Sequence, residues 1–173
     1  MQPGFVESFF PKRNIDFCKR DANGSNALYP AWHTVDRVFM EINLIHTHWV
    51  LGELNLQSWD LTIYDSGGPM FVMQVQNLLN NLINRMHEFL KMIGYFKALK
   101  QKPYNPKIKI KYPSYQVPVQ SGPLGDCGPW WCIFVEQRTQ GIQVSYSGCT
   151  MKYAMAFRRQ MTSIMYRARI DCK

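Results

Sequence analysis

The chain is 173 residues long, 46% hydrophobic and 14% aromatic, with only 18% of its residues charged. That length suits one domain, and that balance excludes a disordered tail, which would be poor in aromatics and rich in charge. A net charge of +8, from 20 Lys and Arg against 12 Asp and Glu, makes the surface basic; it leaves nucleic acid, anionic membrane and acidic protein as electrostatic partners without choosing among them.

Residues 1–34 read as a loop-rich segment, where Pro3, Gly4, Pro11, Asn23, Gly24 and Pro30 punctuate a basic cluster of Lys12, Arg13, Lys19 and Arg20. From Val35 the pattern changes. Val35 to Leu44 forms one β-rich run, His48 to Leu56 a second, and Leu61 to Tyr64 a third, after the polar turn Gln57-Ser58-Trp59-Asp60. Two strands joined by so short a connection predict an antiparallel hairpin. After Ser66-Gly67-Gly68-Pro69 the spacing of Val75, Leu78, Leu79, Leu82, Ile83, Met86, Phe89, Leu90 and Ile93 predicts a long amphipathic helix, with Ser66 or Gly68 as its cap and Gly94 closing it. The stretch Lys97 to Pro118 is basic and broken by prolines, and Ile108 to Tyr112 alternates as a half-exposed edge strand does. A turn-rich stretch, Gly122 to Gly128, leads into a helix over Pro129 to Gln140, and a last helix runs from Met151 to Ile170. The order predicts an α+β fold, with one domain over 35–173.

Other classes are disfavoured. The most apolar stretch, Pro69 to Phe96, is interrupted by Gln74, Gln76, Asn77, Asn80, Asn81, Arg85 and Glu88, so it predicts no membrane span. Met1 to Pro11 lacks the pattern of a signal peptide, and five cysteines make a poor disulfide framework in a chain this long. The expectation is a reducing, intracellular compartment, in which a special cysteine is catalytic or metal-binding rather than bridged.

Cys127 is the candidate. It lies in Gly125-Asp126-Cys127-Gly128-Pro129, where a glycine-rich turn meets a predicted helix. A thiol at a helix N-terminus feels the positive end of the dipole, which stabilises a thiolate, and the same place presents backbone N–H groups to an oxyanion. Cys18, Cys132, Cys149 and Cys172 read instead as small buried hydrophobes. A nucleophilic cysteine needs a base, and the base needs an orienting acceptor. His48 opens the second strand and Asp65 follows the third, so the hairpin brings the two within reach of each other. Trp49, next to His48, can wall a narrow cleft. Gln120, seven residues before Cys127, can donate a second oxyanion hydrogen bond, with Gln116 as its rival.

The order His, Asp, Gln, Cys resembles the ubiquitin-like-protein proteases, the SUMO-specific and adenovirus-protease-like cysteine peptidases, and particularly their plant transposon-associated members. The similarity lies in Val35-Asp36-Arg37-Val38-Phe39-Met40-Glu41-Ile42-Asn43, in Thr47-His48-Trp49-Val50-Leu51, in Leu56 through Tyr64-Asp65-Ser66, in Gly125-Asp126-Cys127-Gly128, and in the Arg-rich Ala156-Phe157-Arg158-Arg159-Gln160-Met161. The resemblance implies a papain-like cysteine proteinase fold with the triad in permuted chain order. Cys127 is then the nucleophile, His48 the general base and acid, and Asp65 the orienting carboxylate. Gln120 and the Cys127 N–H form the oxyanion hole, and Trp49 covers the channel for a C-terminal Gly-Gly. The implied partner is SUMO or another ubiquitin-like modifier, which the basic surface can meet if the modifier is acidic. No metal or cofactor is implied, and the family suggests a nuclear or nucleocytoplasmic location.

Three alternatives remain on sequence grounds. A transposon-derived descendant that binds a modifier without turnover would share the resemblance; the intact set Cys127, His48, Asp65 and Gln120 favours the enzyme. A nucleic-acid-binding reading rests on the net charge and on Lys97, Lys100, Lys102, Lys107, Lys109 and Lys111, with no zinc-ligand spacing or RNA-binding signature beside it. An acyltransferase using the same catalytic set lacks any sign of a second-cofactor site.

Overall fold

The computed structural model describes residues 19–26, 29–44, 48–68, 72–122 and 125–171. At its centre is a four-stranded sheet in the order β1-β2-β3-β4: β1 is Arg37–Leu44, β2 His48–Asn55, β3 Asp60–Tyr64 and β4 Lys109–Lys111. Strands β2 and β3 form the predicted antiparallel hairpin, with Leu51 opposite Tyr64, and β1 adds a third antiparallel strand, with Arg37 opposite Asn55 and Leu44 opposite His48. Strand β4 pairs with β3 in parallel, Asp60 facing Lys109. It closes the sheet as a short lysine-bearing edge, and Lys111 Nζ lies 2.6 Å from Asp60 Oδ2. Such an edge resists pairing with another chain.

Helices cover both faces. The period-two alternation of β2 sends Val50 and Leu54 to one side, where they join Ile42, Leu61 and Ile63. Helix α1, Val72–Met92, packs on that side through Val75, Leu79, Leu82, Met86, Phe89 and Leu90. Burying each such side chain contributes about 1.5–3 kcal/mol, which is why the amphipathic stripe rather than helix propensity fixes this element. Gly94, at φ 75°, closes α1, and a short helix α2, Tyr95–Ala98, follows it directly. Leu51 and Tyr64 face the other way, into a second core with Trp130, Ile133, Phe134, Val144 and Ala154. Helix α3, Cys127–Thr139, and helix α4, Thr150–Asp171, supply that layer.

The segment preceding β1 is partly built into the fold. Ala22 and Ala31 are buried, and Trp32, in the 3-10 turn Trp32–Thr34, packs on Phe89 with ring centroids 5.3 Å apart. Tyr104, from the basic segment, bonds Trp59 Nε1 at 3.2 Å and packs on Phe96. Tyr104 is thereby anchored to the core along one edge, while it and Tyr112 remain exposed. Ser66 and Gly68, the expected caps of α1, precede its start at Val72 by six and four residues, and residues 69–71 lie outside the described residues. No helix among the described residues is long and apolar enough to cross a membrane.

Candidate active site

His48 is the first residue of β2 and Asp65 directly follows β3, so the antiparallel register brings them to the same end of the sheet. They meet there. His48 Nε2 lies 2.6 Å from Asp65 Oδ1, and the His48 side chain is 0% exposed. The Gly67 N–H donates to the same Asp65 oxygen at 2.7 Å, fixing the carboxylate from the loop side. An imidazole that gives its Nε2 proton to a carboxylate keeps Nδ1 as its basic atom.

Gln120 reaches this end of the sheet from 54 residues away in the chain, because Ser66 holds it twice. The Gln120 N–H donates to the Ser66 carbonyl at 2.8 Å, and the Ser66 hydroxyl donates to Gln120 Oε1 at 3.0 Å. Accepting on its oxygen fixes which way the amide points. Nε2 then donates to the Gly122 carbonyl at 2.6 Å, which leaves its second N–H to donate elsewhere. Gln116 is exposed, whereas Gln120 is buried beside the loop that carries Asp65.

Cys127 is the first residue of α3 and is buried. The turn before it needs Gly125, whose φ of 100° is strained for any residue with a Cβ. Asp126 occupies the cap position, yet its side chain does not cap the helix. It turns away instead, accepting from Ser121 Oγ at 2.8 Å and from Arg158 Nη2 at 3.4 Å. The amides at the helix start are thus not consumed by that carboxylate, and Pro129 has no N–H to satisfy. Hydrogen bonds join His48 to Asp65, Ser66 to Gln120 and Ser121 to Asp126, so the His48–Asp65 pair, Gln120 and the turn before Cys127 are linked through neighbouring residues of the chain. Residues 123 and 124, in the turn between Gln120 and Cys127, lie outside the described residues.

The remaining thiols separate from Cys127. Burial pushes the Cys132 thiol up, the wrong direction for a nucleophile. Cys149 corrects the expectation of a buried hydrophobe: it is exposed, in the loop entering α4. Cys18 and Cys172 lie outside the described residues. Of the other histidines, His33 is in the 3-10 turn, His87 bonds the Tyr104 carbonyl at 2.6 Å from α1, and residue 46 is outside the described residues.

Trp49 is the exposed member of β2, at 36%, on the sheet face opposite His48. Sequence reasoning missed Ser66 as the holder of Gln120, since no local pattern signals a partner so distant. Tyr112 is exposed at 51%, and partial desolvation with the nearby Asp65 carboxylate pushes its hydroxyl up. No group of three or more His, Cys, Asp or Glu among the described residues stands together as a metal cluster.

The family model for the Ulp1 protease family, C-terminal catalytic domain, matches residues 6–171. Among solved structures, the chain is similar to the C-terminal Ulp1 protease domain in complex with Smt3, the yeast ortholog of SUMO, at 19% identity and a TM-score of 0.60. It is also similar to SUMO protease Ulp1 with its catalytic cysteine oxidised to a sulfonic acid, at 20% identity and a TM-score of 0.58. Each likeness covers 90% of this chain and 62% of the other, so the chain spans less than two thirds of those domains. No curated protein matches the sequence. The fold is that of the papain-like Ulp1 proteases, and the chain belongs to the Ulp1 protease family, whose catalytic-domain model matches residues 6–171 of it.

Proposed function

We propose that this domain is a thiol peptidase that hydrolyses the peptide or isopeptide bond after the C-terminal Gly-Gly of SUMO or a related ubiquitin-like modifier. The observation that carries the reading is the buried His48–Asp65 pair at 2.6 Å, in a chain whose Cys127 starts the adjoining helix. Family membership supports the chemistry, and the Smt3 complex of the similar yeast domain supports the class of partner.

In this reading His48 Nδ1 takes the Cys127 proton, and the imidazolium is stabilised by Asp65. The thiolate attacks the carbonyl carbon of the terminal glycine, placing a negative charge on its oxygen. The Cys127 N–H and the second Gln120 Nε2–H stabilise that charge. Collapse breaks the C–N bond, and His48 returns its proton to the leaving amine. Water, deprotonated by His48, then hydrolyses the thioester, giving the free modifier carboxylate and restoring the thiol. Trp49, exposed and next to His48 in the chain, offers a flat apolar surface that only residues without a Cβ pass closely, and the positive surface receives an acidic modifier.

The test is release of a fluorogenic amine from the C-terminal Gly-Gly of several purified modifiers. The reading predicts release by the wild type and none by Cys127→Ala. A folded wild type that binds a modifier but releases nothing overturns it in favour of a binding domain without turnover.

A further inference from the structure

Among the described residues the buried polar or charged side chains are His48, Glu53, Ser66 and Gln120. Three belong to the site; Glu53 does not. It lies on β2, on the face turned toward α3, and its carboxylate is fully engaged. Oε2 accepts from Arg138 Nε at 2.8 Å and from the Tyr64 hydroxyl at 3.0 Å. Oε1 accepts from Arg138 Nη2 at 3.2 Å and Arg37 Nη1 at 3.3 Å. The Arg138 guanidinium also lies over the Tyr64 ring, 5.7 Å from its centroid.

A buried ion pair contributes little net stability, because desolvation offsets most of its attraction. What a two-point arginine fork supplies is direction, which apolar packing lacks. The elements joined here matter for that reason. Glu53 shares β2 with His48, Tyr64 precedes Asp65, and Arg138 lies on the helix that Cys127 begins. Arm lengths agree as well. From Glu53 back to His48 is five residues of strand, and from Arg138 back to Cys127 is eleven residues of helix. At about 3.3 Å and 1.5 Å per residue both arms are about 16 Å, running in the same chain direction. With arms that long, a 10° change in crossing angle moves the far end by about 3 Å. A displacement of about 1 Å can cost a hundredfold in rate.

We propose that Glu53, Arg138 and Tyr64 form a positioning clamp that sets the crossing angle of α3 on β2 and so the placement of Cys127 relative to His48. The clamp rests on the catalytic reading above.

The experiment compares wild type, Arg138→Lys, and the double variant Glu53→Leu/Arg138→Met. The lysine keeps the charge but loses the fork. The apolar pair removes both charges together, the exchange that buried ion pairs tolerate best. Three readouts are taken well below the melting temperature: kcat and KM on a modifier with a fluorogenic C-terminal amide, and the rate-versus-pH profile of Cys127 alkylation by iodoacetamide, located by mass spectrometry. The clamp predicts folded variants whose kcat falls about tenfold for Arg138→Lys and about a hundredfold for the double variant, with KM within about twofold and a shifted alkylation profile. Folded variants with wild-type kcat and profile overturn it, whatever their melting temperatures. Where the wild type turns over no modifier, a profile that still shifts in the variants sustains the clamp while the substrate reading fails. A wild-type profile matching that of a free cysteine overturns both.

Discussion

A single oxygen of Asp65 joins the His48 imidazole, at 2.6 Å, to the Gly67 backbone amide, at 2.7 Å. Asn at this position retains an oxygen for the Gly67 bond but carries no charge to stabilise an imidazolium. Asp65→Asn should therefore lower kcat by about 10⁴ while leaving the circular dichroism spectrum unchanged. Steady-state kinetics on a modifier amide checks this; a loss below about tenfold would remove Asp65 from the mechanism.

Gln120 and Gln116 make a clean comparison. The first is pinned by Ser66 beside the site and the second is exposed. Gln120→Ala should lower kcat by about 10²–10³, the usual effect of losing one oxyanion donor, and Gln116→Ala should change it by less than about twofold. Equal losses from both would show that the amide acts through folding.

Glu53 gives the account a pH dependence with a definite sign. Burial alone would raise its carboxyl, but hydrogen bonds from Arg138 and Tyr64, with the charges of Arg138 and Arg37, hold it below the ordinary glutamate value of 4.5. Arg37 on β1, Tyr64 on β3 and Arg138 on α3 are the groups facing it. A carboxyl lowered by folding stabilises the native state fully above its unfolded value and loses that contribution as pH falls through the folded one. The melting temperature of the wild type should thus exceed that of Glu53→Gln at pH 6, and the gap should shrink below pH 4.5. A gap constant from pH 6 to 3 would contradict the assignment.

Gly125, at φ 100°, sets the turn into Cys127. Gly125→Ala should cost about 1–3 kcal/mol in chemical denaturation and slow turnover by displacing the start of α3. Full stability and rate in this variant would mean that the turn relaxes without consequence.

Periodic burial made most elements legible. The stripe from Val75 to Ile93 located α1, observed as Val72–Met92, and the short polar turn located the hairpin of β2 and β3, to which β1 adds a third strand. Helix α3 starts two residues before Pro129, its expected first residue, which puts Cys127 inside the first turn rather than before it. The parallel pairing of β4 was not legible, because its direction is set by the long return of the chain through α1 rather than by Lys109–Lys111 themselves. The same physics hid the polar partnerships. His48 and Asp65 are joined by a hairpin and could be foreseen, whereas Ser66 with Gln120 and Glu53 with Arg138 are separated by 54 and 85 residues. A lone glutamate within an apolar strand announces a buried partner but not which one.

The most direct test is an activity-based probe, a ubiquitin-like modifier whose terminal glycine carries a vinyl electrophile, offered to the wild type, Cys127→Ala and Cys132→Ala and read by intact mass. The account predicts a single adduct on the wild type and on Cys132→Ala, and none on Cys127→Ala. No adduct on folded wild type across several modifiers, or one that survives Cys127→Ala, would contradict it.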